Sequence, residues 1–99
     1  MTINVNDKDA KSTNISVIGR IDSNTYTELQ NVVNEVDYSK GLLIFDFKDV
    51  EYISSAGLRD LLKAQKVMNK QGKMAVKNAN SDIVEIFEVT GFDEILNIE

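Results

Sequence analysis

Leu42-Leu43-Ile44-Phe45-Asp46-Phe47 is an almost unbroken apolar run, the pattern of a strand covered on both faces and therefore central in its sheet. Its continuation, Lys48-Asp49-Val50-Glu51-Tyr52-Ile53, places Val50, Tyr52 and Ile53 where they can fold back on the core. The chain then reaches Ser54-Ser55-Ala56-Gly57-Leu58, two hydroxyls and two minimal side chains at a helix start. From Leu58 the apolar positions Leu58, Leu61, Leu62, Ala64, Val67 and Met68 form one stripe at helical spacing. Arg59, Asp60, Lys63, Lys66 and Lys70 are read as its solvated side, and Gln71-Gly72 as its stop.

Downstream, Lys73 to Lys77 reads as a short strand. Ser81 or Asn80 then caps a helix carrying Ile83, Ile86, Phe87 and Val89 up to Gly91, and Phe92, Ile95, Leu96 and Ile98 form a final short element, helix or strand. Upstream, Ile3 and Val5 alternate with polar neighbours, as do Ile15 and Val17, so two half-buried strands joined by Asn6 to Asn14 are expected to pair as a hairpin. After Ile21-Asp22, Thr25 and Glu28 have capping-box spacing, with Ser23 or Asn24 as alternative caps. Tyr26, Leu29, Val32, Val33 and Val36 then make a second helical stripe, and Lys40-Gly41 ends the connection.

The resulting β-β-α-β-α-β-α order requires parallel strands joined by packed helices after an antiparallel hairpin. A single α/β domain over residues 1–99 is expected, with a four- to five-stranded mixed sheet and three to four helices. There is no proline and no Gly/Ser linker to mark an internal boundary.

Composition narrows the chemistry. With no cysteine and no histidine, disulfides, thiol nucleophiles, imidazole bases and the usual zinc and iron ligands are absent. Asn4 to Asp9 lacks the glycine and distal glutamate of a calcium loop, so neither metal nor cofactor is expected. A net charge of −5 disfavours nucleic acid, and no apolar run approaches the ~20 residues of a membrane helix. With no apolar signal segment after Thr2, a cytoplasmic protein without membrane insertion, monomeric when free, is the expectation.

The Asp49 to Leu58 junction lies beyond the carboxyl end of the central strand, where open α/β sheets place ligands. A serine there meets amides with no intrahelical partner and the positive end of the helix dipole, a setting that accommodates phosphate. Ser54 or Ser55 supplies the hydroxyl, while Ala56 and Gly57 keep the first turn thin enough for another molecule to approach. The same residues also read as a plain helix cap, and Asp22 as a turn or capping residue.

Gly19-Arg20-Ile21-Asp22, followed by Asp49-Val50-Glu51-Tyr52-Ile53-Ser54-Ser55-Ala56-Gly57-Leu58-Arg59, resembles the two signature stretches of the STAS domain, specifically stand-alone anti-sigma factor antagonists. The resemblance implies a non-enzymatic switch that binds an anti-sigma factor with serine kinase activity when unphosphorylated, so freeing a sigma factor, with a phosphatase to reset it. It assigns the phosphoacceptor role to Ser55, with Ser54 second, and partner contact to Asp22, Ser54, Ser55, Ala56, Gly57, Leu58 and Arg59. Ala56 departs from the usual pattern, in which the residue before the glycine takes the phosphate. That departure leaves open a constitutive adaptor subunit of a transport or signalling complex. A small enzyme using Ser55 would need a lysine or carboxylate base, and no Gly-x-x-x-x-Gly-Lys loop is present.

Overall fold

Burial alternates along the Leu42 run: Leu43, Phe45 and Phe47 are fully buried, whereas Leu42, Ile44 and Asp46 are only partly covered. The strand is interior to its sheet, as expected, but only one of its faces is packed by helices. In the computed structural model, which describes residues 1–99, the elements are β1 (Thr2–Asn6), β2 (Thr13–Ile21), α1 (Tyr26–Glu35), β3 (Leu42–Ile53), α2 (Ser55–Met68), β4 (Lys73–Lys77) and α3 (Ser81–Thr90), then a 3-10 turn at Phe92–Glu94. The sheet order is β1-β2-β3-β4, with β1 antiparallel to β2 and the other pairings parallel. Successive right-handed crossovers in one direction put α1 and α2 on the same face, where they pack against each other. Phe87 of α3 stacks on Phe47 with ring centroids 6.4 Å apart, bringing the third helix to that face too.

The opposite face carries Asn4, Ser16, Asp46 and Lys77 in one cross-strand row. This is why a nearly continuous apolar run overstated the coverage: Leu42 and Ile44 face a partly solvated surface, and Asp46 marks it. Ile15, Val17, Leu43, Phe45 and Phe47 instead join Leu29, Val33, Leu61, Met68, Ile83 and Phe87 in one buried cluster. Each fully buried side chain of this size contributes roughly 1.5–3 kcal/mol.

Two irregularities in β3 aim its far end. Ser16 pairs with Asp46 but Ile18 with Asp49, and Gly19 pairs with Val50 but Arg20 with Tyr52, so β3 carries an extra residue at each step. Bulges of this kind re-aim side chains. Inward positions after Phe47 therefore fall at Val50 and Ile53, both buried, and Tyr52 turns outward at 37% exposure. The expected fold-back of this tail is thus a continuation of the strand itself, which runs to the residue before the serines.

The ends of the helices differ from the simplest reading. Thr25 precedes α1 without capping it, because its hydroxyl donates to the Arg20 carbonyl at 2.6 Å and accepts from the Asp22 amide at 2.9 Å. Asn80, one of the two residues expected there, caps α3 by accepting from the Ile83 amide at 3.0 Å. Val89 lies 81% exposed on α3, outside the apolar stripe. After the 3-10 turn, Ile98 forms a single parallel bridge to Val76, so the terminal element is part turn and part strand and the sheet remains four-stranded.

Gly72 is required for a close crossing rather than as the stop of α2, which already ends at Met68 with Asn69 as its cap. A Cβ at position 72 would stand 2.3 Å from the Gly41 carbonyl oxygen, whose lone pair accepts from the Lys73 amide at the start of the β3–β4 pairing. Backbone cannot yield as a flexible side chain can. Gly72→Ala is expected to lower the unfolding free energy by about 1–3 kcal/mol in urea denaturation, and an unchanged midpoint would refute the close-crossing role.

Candidate functional site

The last residues of β2 and β3, Ile21 and Ile53, are register partners, so the loops that follow them emerge side by side. The Ser54 amide donates to the Ile21 carbonyl at 2.7 Å and ties the two loops together. This juxtaposition brings Asp22 and the serines to the same edge of the sheet.

Ser54 is the N-cap of α2. Its backbone is extended and its Oγ accepts from the Gly57 amide at 3.3 Å, while its carbonyl accepts from the Leu58 amide at 2.9 Å. Ser55 is the first helical residue, and its exposed hydroxyl has no hydrogen-bond partner. The two roles that the sequence left open between these serines are therefore divided: Ser54 caps and Ser55 is free. The Ser55 and Ala56 amides have no intrahelical acceptor, so donors and the positive end of the helix dipole lie beside the free hydroxyl.

Gly57 faces inward. A Cβ there would lie 2.6 Å from Ile21 Cγ2 and 2.9 Å from Ile53 Cγ1, both on branched side chains with little room to move. Its missing side chain lets α2 sit on the strand ends and does not open an approach for another molecule. Leu58 is 3% exposed and belongs to the core cluster. Both residues support the edge from beneath, so in the free chain neither offers a side chain to the surface where the sequence reading placed partner contact.

Asp22 is held as the head of a turn. Its Oδ1 accepts from the Asn24 amide at 2.9 Å and the Thr25 amide at 3.1 Å, and Arg20 Nε lies 3.8 Å from Oδ2. The Asn24 amide, with Thr25 and Arg20 adding to it, holds the Asp22 carboxyl below its ordinary pKa. The Arg20 guanidinium also lies 4.7 Å from the centre of the Tyr52 ring. Arg20 and Tyr52 were not singled out from sequence as site residues; their signal is register, because Arg20 pairs with Tyr52 one step before the two loops. Arg59 is exposed on the first turns of α2.

The sequence profile of the STAS domain matches residues 3–99. The chain belongs to the STAS domain family. An anti-sigma-B factor antagonist of Listeria monocytogenes is 24% identical over 101 residues, which span 100% of this chain and 89% of that protein. A Bordetella bronchiseptica protein provisionally named as the anti-sigma factor antagonist BtrV is 31% identical over 93 residues, covering 80% of each chain. The crystal structure of an anti-sigma factor antagonist from Mycobacterium paratuberculosis superposes on this STAS domain with a TM-score of 0.87 at 26% identity, covering 98% of this chain and 83% of the other. No helix of the chain is long and apolar enough to cross a membrane.

Asp60 of this STAS domain reverses a sequence expectation. Read as solvated, it is 5% exposed, and its Oδ2 is buried without a hydrogen-bond partner. Burial raises its pKa from 3.8 to about 6, against the weaker opposing pull of Lys63 and Arg59. A carboxyl with a raised folded pKa binds more protons folded than unfolded between these two values. Its stabilising contribution is therefore present at low pH and is lost as pH rises through about 6. Asp60→Asn is expected to be more stable than the parent at pH 7.5 and to lose that advantage towards pH 4, read as the difference in urea midpoints. Asp22 and Asp37, whose pKa values are lowered, are common to both proteins and cancel in the difference. A parent-minus-variant difference that stays constant across this range would contradict the burial of charge at Asp60.

Proposed function

We propose that this chain is an anti-sigma factor antagonist that docks to a kinase-type anti-sigma factor through the edge formed by Asp22, Ser55, Ala56 and Arg59, and that phosphorylation of Ser55 releases it. The relatives named as anti-sigma factor antagonists support the class of partner. The observation that carries the site is the division of labour between the serines: Ser54 Oγ is engaged with the Gly57 amide, whereas Ser55 Oγ is exposed and unpartnered.

A phosphorylated Ser55 brings nearly two negative charges to the start of α2. Within the chain these meet the amides of the first turn and the helix dipole, so the fold tolerates them. Across an interface built to receive a neutral hydroxyl, the same charges require desolvation and a new counter-charge. A cost of a few kcal/mol there reduces affinity by a hundredfold or more. Arg20, between Asp22 and Tyr52, contributes a fixed cation to the same edge. No side chain is hydrogen-bonded to Ser55 Oγ as a base, so a nucleophilic serine has no support from this geometry.

Ala56 favours a second reading, a constitutive adaptor whose binding face is the same but which is never phosphorylated. Intact mass after incubation with the cognate anti-sigma kinase and ATP separates the two. The switch predicts one added phosphate, absent in Ser55→Ala and retained in Ser54→Ala. Ser54→Ala loses its cap and is expected to be about 1 kcal/mol less stable, whereas Ser55→Ala stays within roughly 0.5 kcal/mol of the parent. A partner that binds the chain and consumes ATP without adding phosphate to it would overturn the switch and leave the adaptor.

A further inference from the structure

The four-stranded sheet has two outer edges, and the chain treats them differently. Along β4 the segment Asn97 to Glu99 runs beside the strand: the Val76 amide donates to the Asn97 carbonyl at 2.9 Å and the Glu99 amide to the Val76 carbonyl at 2.8 Å. β1 forms the other edge and pairs only with β2. Every second residue of it therefore turns an amide and a carbonyl outward, and no backbone hydrogen bond outside the β1–β2 ladder reaches Thr2 to Asn6. Edge strands are commonly blunted by a charge, a proline or a bulge. β1 has none of these, reading Thr2-Ile3-Asn4-Val5-Asn6 in unbroken register with Ile18 to Asn14.

The side chains of β1 sort by face. Ile3 and Val5 stand opposite Val17 and Ile15, on the face that the helices cover, whereas Thr2, Asn4 and Asn6 lie on the open face. β1 packs chiefly on β2, so Val5 is left 46% exposed and Ile3 half-buried. The strand is also held ready for a neighbour. Lys40 donates to the Asp7 and Asp9 carbonyls, and the Asn6 side chain accepts from the Lys8 amide, which fixes the turn out of β1. Little ordering is left for a partner strand to impose.

We propose that a second copy of the chain adds to this edge, β1 pairing antiparallel with β1 about a two-fold axis at Asn4 so that the two sheets become one. With β4 taken by Asn97 to Glu99, β1 is the open edge, so self-pairing joins like to like and closes as a dimer. A parallel pairing would turn the two helix layers to opposite faces and set Ile3 and Val5 against polar neighbours. The antiparallel one places Ile3 opposite Val5 twice on the helix face, with Asn4 opposite Asn4 and Thr2 opposite Asn6 on the other. No charge falls within the paired residues. The carboxylates next to the strand, the two Asp7, stand about 20 Å apart along the pair, beyond the ~8 Å reach of charge at physiological salt, so the net −5 of each copy does not oppose the contact locally. Five residues a side bury far less than a standard interface, so the dimer is weak, with a Kd on the order of 0.1 mM, and the dilute chain is monomeric. The serine edge follows Ile21 and Ile53 on β2 and β3 and takes no part in the pairing.

The test is sedimentation equilibrium of the full chain, with amide NMR over the same dilution series, between about 20 µM and about 2 mM, a range that brackets this Kd. The proposal predicts a monomer–dimer equilibrium, with saturable shifts and slowed amide exchange centred on Thr2 to Asn6 at the concentrated end. Asn4→Lys sets two ammonium groups across the axis, where like charges directly opposite repel, and is expected to weaken the dimer severalfold; Asn4→Asp does the same. Position 4 is exposed, so both variants keep the fold. Mixing the two variants puts opposite charges across the axis and is expected to restore pairing to the parent's affinity or better, a recovery that misfolded chains could not give. Ser55→Ala should leave the dimer unchanged. A chain that stays monomeric at the concentrated end, a dimer indifferent to Asn4→Lys, or no recovery on mixing would each overturn the assignment. So would β1 shifts that arise only with an unrelated extended peptide of alternating threonine and valine, which would give the edge to a foreign strand.

Discussion

The seating of the first turn of α2 on the ends of β2 and β3 is the constraint on which the molecule depends. Gly57 lies so close to Ile21 and Ile53 that a methyl group has no room, and the Ser54 amide closes the contact through the Ile21 carbonyl. The two strands must therefore end in register, and the bulges in β3 bring Ile53 to that point facing inward. With the helix seated, Ser54 falls at the capping position and Ser55 one residue beyond it, in solvent. The exposed hydroxyl is thus a consequence of packing beneath it.

This arrangement separates buried support from exposed surface within one short stretch. Ser54, Gly57 and Leu58 hold the turn, while Ser55 and Arg59 present it and Ala56 lies between. Asp22 joins from the neighbouring loop, its carboxylate kept ionised by amides of its own turn and by Arg20. The STAS family relationship and the named relatives support an anti-sigma factor as the class of partner, and the unpartnered Ser55 hydroxyl is the group on which the proposed switch would act.

Much of this was legible in the residues. The Ile15 and Val17 alternation, the stripes of α1 and α2 and the hydroxyl-rich junction yielded the order of elements, the hairpin and the position of the edge, because these depend on local period and local capping. What escaped depends on what stands opposite each residue. Asp60 looked like a solvated helix position, yet lies buried on a helix that packs against both α1 and the sheet. Leu42 and Ile44 suggested two covered faces because hydrophobicity does not report which face the helices choose. Thr25 and Glu28 had the spacing of a capping box, but the hydroxyl was claimed by a strand carbonyl five residues earlier. Gly57 was read as thin towards a ligand when it is thin towards the core.

The central claim is that the charge state of one side chain, Ser55, sets affinity for the partner. Titrating the cognate anti-sigma factor in the presence of nucleotide with the parent, Ser55→Ala and Ser55→Asp proteins measures this most directly. The account predicts that Ser55→Ala binds like the parent and that Ser55→Asp binds at least tenfold more weakly with its fold intact. Equal affinities for Ser55→Ala and Ser55→Asp would contradict it and reduce Ser55 to an ordinary first residue of a helix.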